Sequence, residues 1–299
     1  MNNASVKSMP FLLRGNEVKR HMINIDSRFR QNPTQTTPSD YYFQLSMPIK
    51  NVLRVRITSM EFPNNFAFFT ALHNNVSIRI VYTLSGQSRE VEATVKDGNY
   101  TAQDMITELN SVFTKLGLSW LVCSFDFISG YFYFTGNSYF EIDTKYNSIE
   151  RQFDYGLGYY LGLNRGILQS AYNPTTNKYT LNGDFTGYFN GDNYVFLKIN
   201  DYEFVQHTMN DNTIGALAKI ILRDPKTYMT FDDLASGNAK EVVFKAPQNI
   251  SRLHIQFVNA YGEDINLKGT NHSFTMEVLE IQDSSLYNAV RETLYPGYN

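Results

Sequence analysis

One cysteine, one tryptophan and few charges mark this 299-residue chain. The lone thiol, Cys123, excludes an intramolecular disulfide, and with no second Cys beside it a thiolate metal site is not expected. A reducing compartment fits such cysteine usage. Charged residues make up 18% of the chain, below the roughly 25% of soluble domains. A surface so sparsely charged suits a protein covered by neighbours. The formal net charge of −3 leaves no basic field to displace counterions from nucleic acid, so no specific nucleic-acid partner is expected. No apolar run approaches the ~18 residues of a membrane span. The N-terminus has only a short apolar patch, Met9 to Leu13, interrupted by Pro10, where a signal peptide needs a continuous apolar core. The N-x-[ST] triplets headed by Asn3, Asn75, Asn99, Asn249 and Asn271 then read as chance in an Asn-rich chain.

What the chain has in quantity is Phe and Tyr, 22 and 21 residues, inside a hydrophobic fraction of 42%. Aromatic residues favour pleated, half-buried surfaces, which leans the reading towards strands. Alternation supports strands over His21–Phe29, Tyr41–Met47 and Asn51–Phe62. Val76–Leu84 with Glu90–Val95, and Ser119–Phe127 with Tyr131–Thr135, read as hairpins. Later strands are expected at Tyr139–Ile142, Asn193–Ile199, Tyr202–Val205, Ala216–Leu222, Val242–Phe244, Arg252–Val258, Ile265–Leu267 and His272–Ile281. One helix stands apart. Thr101 and Asp104 form a capping box, Met105, Ile106, Leu109, Val112, Phe113 and Leu116 recur at helical spacing, and Gly117 supplies the stop. Residues 153–166 and 172–190 carry no such period and read as loops.

Short strands at regular intervals with turn signals between them indicate a sandwich or barrel. The helix lies between two hairpins, so the expected organisation is an all-β chain: a single jelly-roll β-sandwich with an inserted α+β domain. Its expected parts are an N-terminal arm at 1–19, a sandwich at 20–70 and 186–283, the insertion at 71–185 and a C-terminal tail at 284–299. Both ends are polar stretches carrying apolar anchors: Phe11, Leu12 and Leu13 at one end, Leu286, Tyr287, Leu294, Tyr295 and Tyr298 at the other. Such segments bury too little by themselves to offset ordering costs of roughly 1–2 kcal/mol per residue, so they are expected to order against a partner.

No constellation points to catalysis. The histidines His21, His73, His207, His254 and His272 lack H-x-x-x-H and H-E-x-x-H spacing. The acid pairs Asp232-Asp233 and Glu263-Asp264 are adjacent in loops and read as solvated turn residues rather than a glycosidase pair. Cys123 sits in an apolar strand and reads as a buried, inert thiol. The GLGYYLG stretch (156–162) has no strand–turn–helix context for phosphate binding. Arg28, Arg30, Lys50, Arg54 and Arg56 form a local basic group that suits either phosphates, an acidic neighbour or a solvated sheet face. No enzyme activity, cofactor or metal is expected. The Tyr-rich loops at 155–162 and 187–196, with Tyr159 and Tyr160, suit a subunit interface or a sugar-binding surface.

Several segments in order resemble the single jelly-roll capsid proteins of nucleocytoplasmic large DNA viruses, the giant-virus group. They are INIDSRFR, SDYYFQLSMPIKNVLRVRITSMEFPNN, DGNYTAQDMITELN, YFEIDT followed by LGYYLGL, and NHSFTMEVLEI, spread over residues 21–281. The resemblance implies a structural protein of an icosahedral capsid, made in the host cytoplasm and resident in the virion. It would be the homopentameric vertex capsomer (penton) or a minor protein beneath the shell. Its partners would be copies of itself and other capsid proteins. Chain length agrees: after an insertion of roughly 100 residues and the arm, about one sandwich remains rather than two. The candidate subunit contacts are Phe11, Leu12, Leu13, Tyr159, Tyr160, Leu286, Tyr295 and Tyr298. A carbohydrate- or receptor-binding sandwich is the alternative.

Overall fold

A computed structural model of the chain describes residues 18–145, 156–189, 191–203, 205–209, 212–223, 229–232 and 240–295. In chain order the strands begin with β1 (Val18–Asp26) and a long β2 (Asp40–Pro63). Next come β3 (Ser77–Leu84), β4 (Gln87–Thr94), helix α1 (Ala102–Lys115), β5 (Leu121–Asp126), β6 (Tyr131–Gly136) and β7 (Phe140–Asp143). A short helical turn α2 (Leu157–Tyr160) leads to β8 (Ile167–Gln169), β9 (Ala171–Asn173) and β10 (Lys178–Asn182). The chain then runs through β11 (Tyr194–Ile199), β12 (Val205–Met209), β13 (Asn212–Ala216), β14 (Ala218–Ile221) and β15 (Met229–Asp232). It closes with a second long strand β16 (Lys240–Val258), β17 (Ser273–Ile281) and helix α3 (Tyr287–Leu294). The chain divides into two compact units, Met1–Phe66 with Asp192–Asn299, and Ala67–Gly191.

The first unit is a jelly roll, and its two long strands explain how. Residues 40–49 of β2 pair with residues 250–256 of β16, whereas residues 52–61 pair with β17 and residues 54–57 pair with the start of β16. Each long strand therefore serves both sheets, and the register slips between Val243 and Arg252 where β16 changes sheet. Sequence marks both bends. Pro48 and Pro247 cannot donate to a ladder, Asn51 sits at φ 49°, and its N–H donates to Asn249 Oδ1 at 3.2 Å. One sheet thus runs β1, β17, late β2, early β16, with β15 also on late β2. The other runs early β2, late β16, β11, β14. Counting the halves of β2 and β16 separately, the sheet orders are first-last-third-sixth and second-seventh-fourth-fifth, the double Greek key of jelly rolls. Alternate residues such as Val55, Ile57, Leu197, Ile255, Phe257, Met276 and Val278 fill the space between the sheets.

The second unit builds its own core from two four-stranded sheets, β4-β3-β7-β8 and β5-β6-β10-β9, and α1. The Thr101–Asp104 capping box is formed: Asp104 N donates to Thr101 Oγ1 at 3.2 Å and Thr101 N donates to Asp104 Oδ2 at 3.1 Å. Met105, Leu109, Val112 and Phe113 make the buried face. Gly117, at φ +76°, ends the helix, and Leu118 N returns to Phe113 O at 2.8 Å. On the same helix Asn110 reaches β5, accepting from Cys123 N at 2.8 Å and donating to Cys123 O at 2.9 Å. Since β5 is an edge strand, this side chain occupies backbone groups that another strand would otherwise take.

Four expectations are corrected here. The first strand starts at Val18, inside the expected arm at 1–19. Residues 171–173 and 178–182 form strands within a stretch that reads as loop; Thr180 and Leu181 gain ladder partners on β6 that no local period announces. Residues 157–160 are helical, with Leu157, Gly158 and Tyr160 buried, rather than an irregular exposed loop. Residues 284–295 do not wait for a partner: Tyr287 and Val290 are buried against Leu53, Leu279 and Ile281 on the outer face of the β1-β17-β2 sheet.

Candidate functional site

The outward face of the other sheet of the roll carries a built cluster. Alternation along early β2 and late β16 sends Tyr41, Leu253 and Ile255 inward and leaves Tyr42, Arg252, His254 and Gln256 outside. Tyr42 and His254 stand opposite in register, and their rings stack at 4.4 Å and 18°. The Arg252 guanidinium lies 3.7 Å from the Tyr42 centroid. The Tyr42 ring is thus held by a stacked imidazole and a cation, with part of it still exposed. Asp40 holds the imidazole, with His254 Nε2 to Asp40 Oδ1 at 2.7 Å, and accepts from Gln256 Nε2 at 3.4 Å. Asn200 Oδ1 accepts from His254 N at 2.7 Å and fixes the strand beneath. Beside them, burial and then the Asp40 charge push the Asp264 carboxyl above its ordinary range. Tyr, Arg and His on a rigid sheet make an adhesive surface with little side-chain entropy left to lose. This cluster is the candidate site.

Phe11, Leu12, Leu13 and Tyr298 lie outside the described residues. Tyr160 is buried, edge-on to Phe68 and Phe69, so it builds the core of the second unit. Tyr159 is half-buried against Tyr160 and Phe185. The reason is a backbone clasp. Gly162, at φ +73°, accepts from Asp184 N at 2.7 Å and Phe185 N at 3.0 Å, and Tyr188 N donates to Tyr160 O at 2.9 Å. The aromatic stretch at 156–162 is thereby pulled in, whereas the Tyr188 side chain stays 45% exposed. Leu286 and Tyr295 pack on the outer cluster of the roll.

The basic group is also resolved in part. Arg54 is buried, not solvated: it pairs with Glu277, with Glu241 at 3.3 Å, and donates to Tyr295 OH at 2.5 Å. Arg28 binds Asp26, holding that carboxyl below its ordinary range. Burial pushes the Cys123 thiol up, as for an unreactive core cysteine. His272 is buried among Tyr41, Phe62, Phe257 and Phe274, where burial lowers its pKa to about 4. Glu263 accepts from Asn259 Nδ2 at 2.9 Å within its turn. Among the described residues no group of three or more His, Cys, Asp or Glu side chains is placed to hold a metal ion, and no helix is long and apolar enough to cross a membrane.

No protein-family model matches the sequence, and no curated protein matches it. Among solved structures, this chain is similar to the crystal structure of the SeMet-labeled mavirus penton protein. The TM-score is 0.45 at 12% identity, over 88% of this chain and 99% of that one.

Proposed function

We propose that this chain is a structural, non-catalytic protein of an icosahedral virus capsid. In this reading it forms the homopentameric vertex capsomer (penton), joins other capsid proteins, and resides in the virion after synthesis in the host cytoplasm. One observation carries the reading: a single complete jelly roll whose connection between β2 and β11 is expanded into a second compact unit. A roll with its core satisfied inside one chain keeps its outer faces and edges for assembly. One roll per chain suits a fivefold position better than a facet built from double rolls. The ordered sequence segments that resemble giant-virus capsid proteins agree with it. In this reading the Tyr42–Arg252–His254 face is a subunit contact. The test is the mass of the purified protein in solution, with electron micrographs of the particles formed. Pentameric rings, lost in Arg252→Glu without a change in melting temperature, are the expected result. A protein that stays monomeric at high concentration overturns the penton reading and leaves the minor capsid role beneath the shell.

A second reading, saccharide binding, has its own observation. In the second unit Tyr139, Tyr172 and Tyr179 form an edge-on cluster at 5.4–6.0 Å, with Tyr139 and Tyr172 exposed. Glu141 accepts from Tyr139 OH at 2.6 Å and Gln169 Nε2 at 3.1 Å, and Asn177 accepts from Tyr172 OH at 2.6 Å. Exposed rings beside planar polar groups are what a sugar's C–H face and hydroxyls need. Glycan-array binding lost in Tyr172→Ala would favour it.

A further inference from the structure

The hairpin of β5 and β6 ends in a two-residue apolar tip. Phe127 is 66% exposed and Ile128 is 99% exposed. Turns favour Gly, Pro, Asn, Asp and Ser, so two large apolar side chains there are not turn chemistry. The turn itself is tightly built. Asp126 Oδ1 accepts from Ile128 N at 2.9 Å, its Oδ2 accepts from Ser129 Oγ at 2.6 Å, and its carbonyl accepts from Gly130 N at 2.7 Å. Gly130 takes φ +78°, and its carbonyl accepts from Gly187 N at 3.0 Å. Phe127 stands edge-on to Phe125 at 5.0 Å, and Phe125 packs on the buried Phe132 at 4.6 Å. A row of rings thus runs from the core of the second unit to the tip, and Ile128 projects beyond it. Side chains held this way have little entropy left to lose when something covers them.

Area and charge select what covers it. Two side chains of this size offer on the order of 300 Å², whereas a stable protein interface takes roughly 800 Å² from each partner. A side chain as exposed as Ile128 stands clear of its surroundings, so a flat protein face laid on the tip gains little else. A fluid lipid surface needs no matching shape, and apolar side chains enter its headgroup–acyl boundary directly. The charge pattern narrows the kind of lipid. No Lys or Arg occurs from residue 116 to 144, nor from 179 to 197, the segment whose Gly187 bonds the turn, while Asp126 and Asp184 do. Anionic headgroups attract proteins through Lys and Arg, so this tip suits a zwitterionic surface. Tyr131, opposite Asp126 in register and 38% exposed, stands at the base of the tip. An amphipathic ring in that place meets the headgroups.

We propose that the Phe127–Ile128 tip inserts into a zwitterionic lipid surface as a reversible, peripheral contact. The test is flotation of the full chain with phosphatidylcholine vesicles at high lipid concentration, at low and high salt. A Phe127→Ser/Ile128→Ser variant keeps Asp126, Ser129 and Gly130, and with them the turn. Ile128→Ser alone alters a side chain that is 99% exposed, and serves if the double variant fails to fold. The natural chain should float equally at both salt concentrations. Either variant should float less, on the order of ten-fold for the double one, with its melting temperature unchanged. A natural chain that does not float, or a variant that floats as well, overturns the proposal. Flotation that needs anionic lipid and falls with salt also overturns it, because charge elsewhere on the chain would then be the cause. So does a tip substitution that leaves flotation alone but abolishes self-association in sedimentation, since the tip would then seat in a second copy.

Discussion

At the scale of single residues, the polar groups that matter are those the fold removes from water. Arg54 alternates on its strand like any surface cation, yet α3 and Tyr295 cover it, and two carboxylates answer its charge. His272 is the sharper case. Its Nε2 meets Pro38 O at 2.8 Å and its Nδ1 has no hydrogen-bond partner among the described residues, so the ring is held neutral with Nε2–H donating. Burial sets its pKa at about 4 in the folded chain, against roughly 6.5 unfolded. Below pH 6.5 the unfolded chain binds a proton that the folded chain refuses until pH 4. The His272 contribution is therefore complete above pH 6.5 and is lost as pH falls through this window, by about 3 kcal/mol in all. Urea unfolding at pH 7, 5.5 and 4 should show that slope, and His272→Gln, whose amide can still donate to Pro38 O, should flatten it.

At the scale of elements, local rules hold where partners are near in sequence. The α1 cap is such a case, and Thr101→Ala should cost about 1 kcal/mol by leaving Asp104 N–H without its acceptor. Asn110 should matter more. It replaces a missing strand beside Cys123, and Asn110→Ala leaves a backbone N–H and C=O unanswered, a loss of about 2 kcal/mol. Thermal melts of the two variants should rank them in that order. What the C-terminal helix packs on has no local signal, since its cluster partners lie on β2 and β17. Deleting residues 284–299 bares Leu53, Leu279 and Ile281 and removes the burial of Tyr287 and Val290. A loss of about 3–6 kcal/mol is expected in the isolated protein, visible as a lower urea midpoint.

At the scale of the whole molecule, each compact unit has a large hydrophobic cluster of its own among the described residues. A unit with its own core and capped helix is expected to fold alone. Residues 67–191 expressed by themselves should melt cooperatively and give dispersed amide resonances; a molten spectrum would show that the core needs the rest of the chain.

What the sequence by itself determined is every feature whose cause lies within a few residues. The capping box, the helical period of Met105 to Phe113, the stop at Gly117, the alternation of His272–Ile281 and the all-β character all follow from neighbours in the chain. Only the tertiary structure decided which surfaces stay exposed. Tyr159-Tyr160 looks like a sticky loop until Gly162 is bonded to Asp184 and Phe185, some twenty residues away. Tyr42 and Arg252 look like ordinary outward residues until β2 and β16, two hundred positions apart, pair in register and stack them. Periodicity reports whether a side chain faces in or out of its own strand. What lies against that face depends on chain closure between distant segments, and no local pattern encodes it.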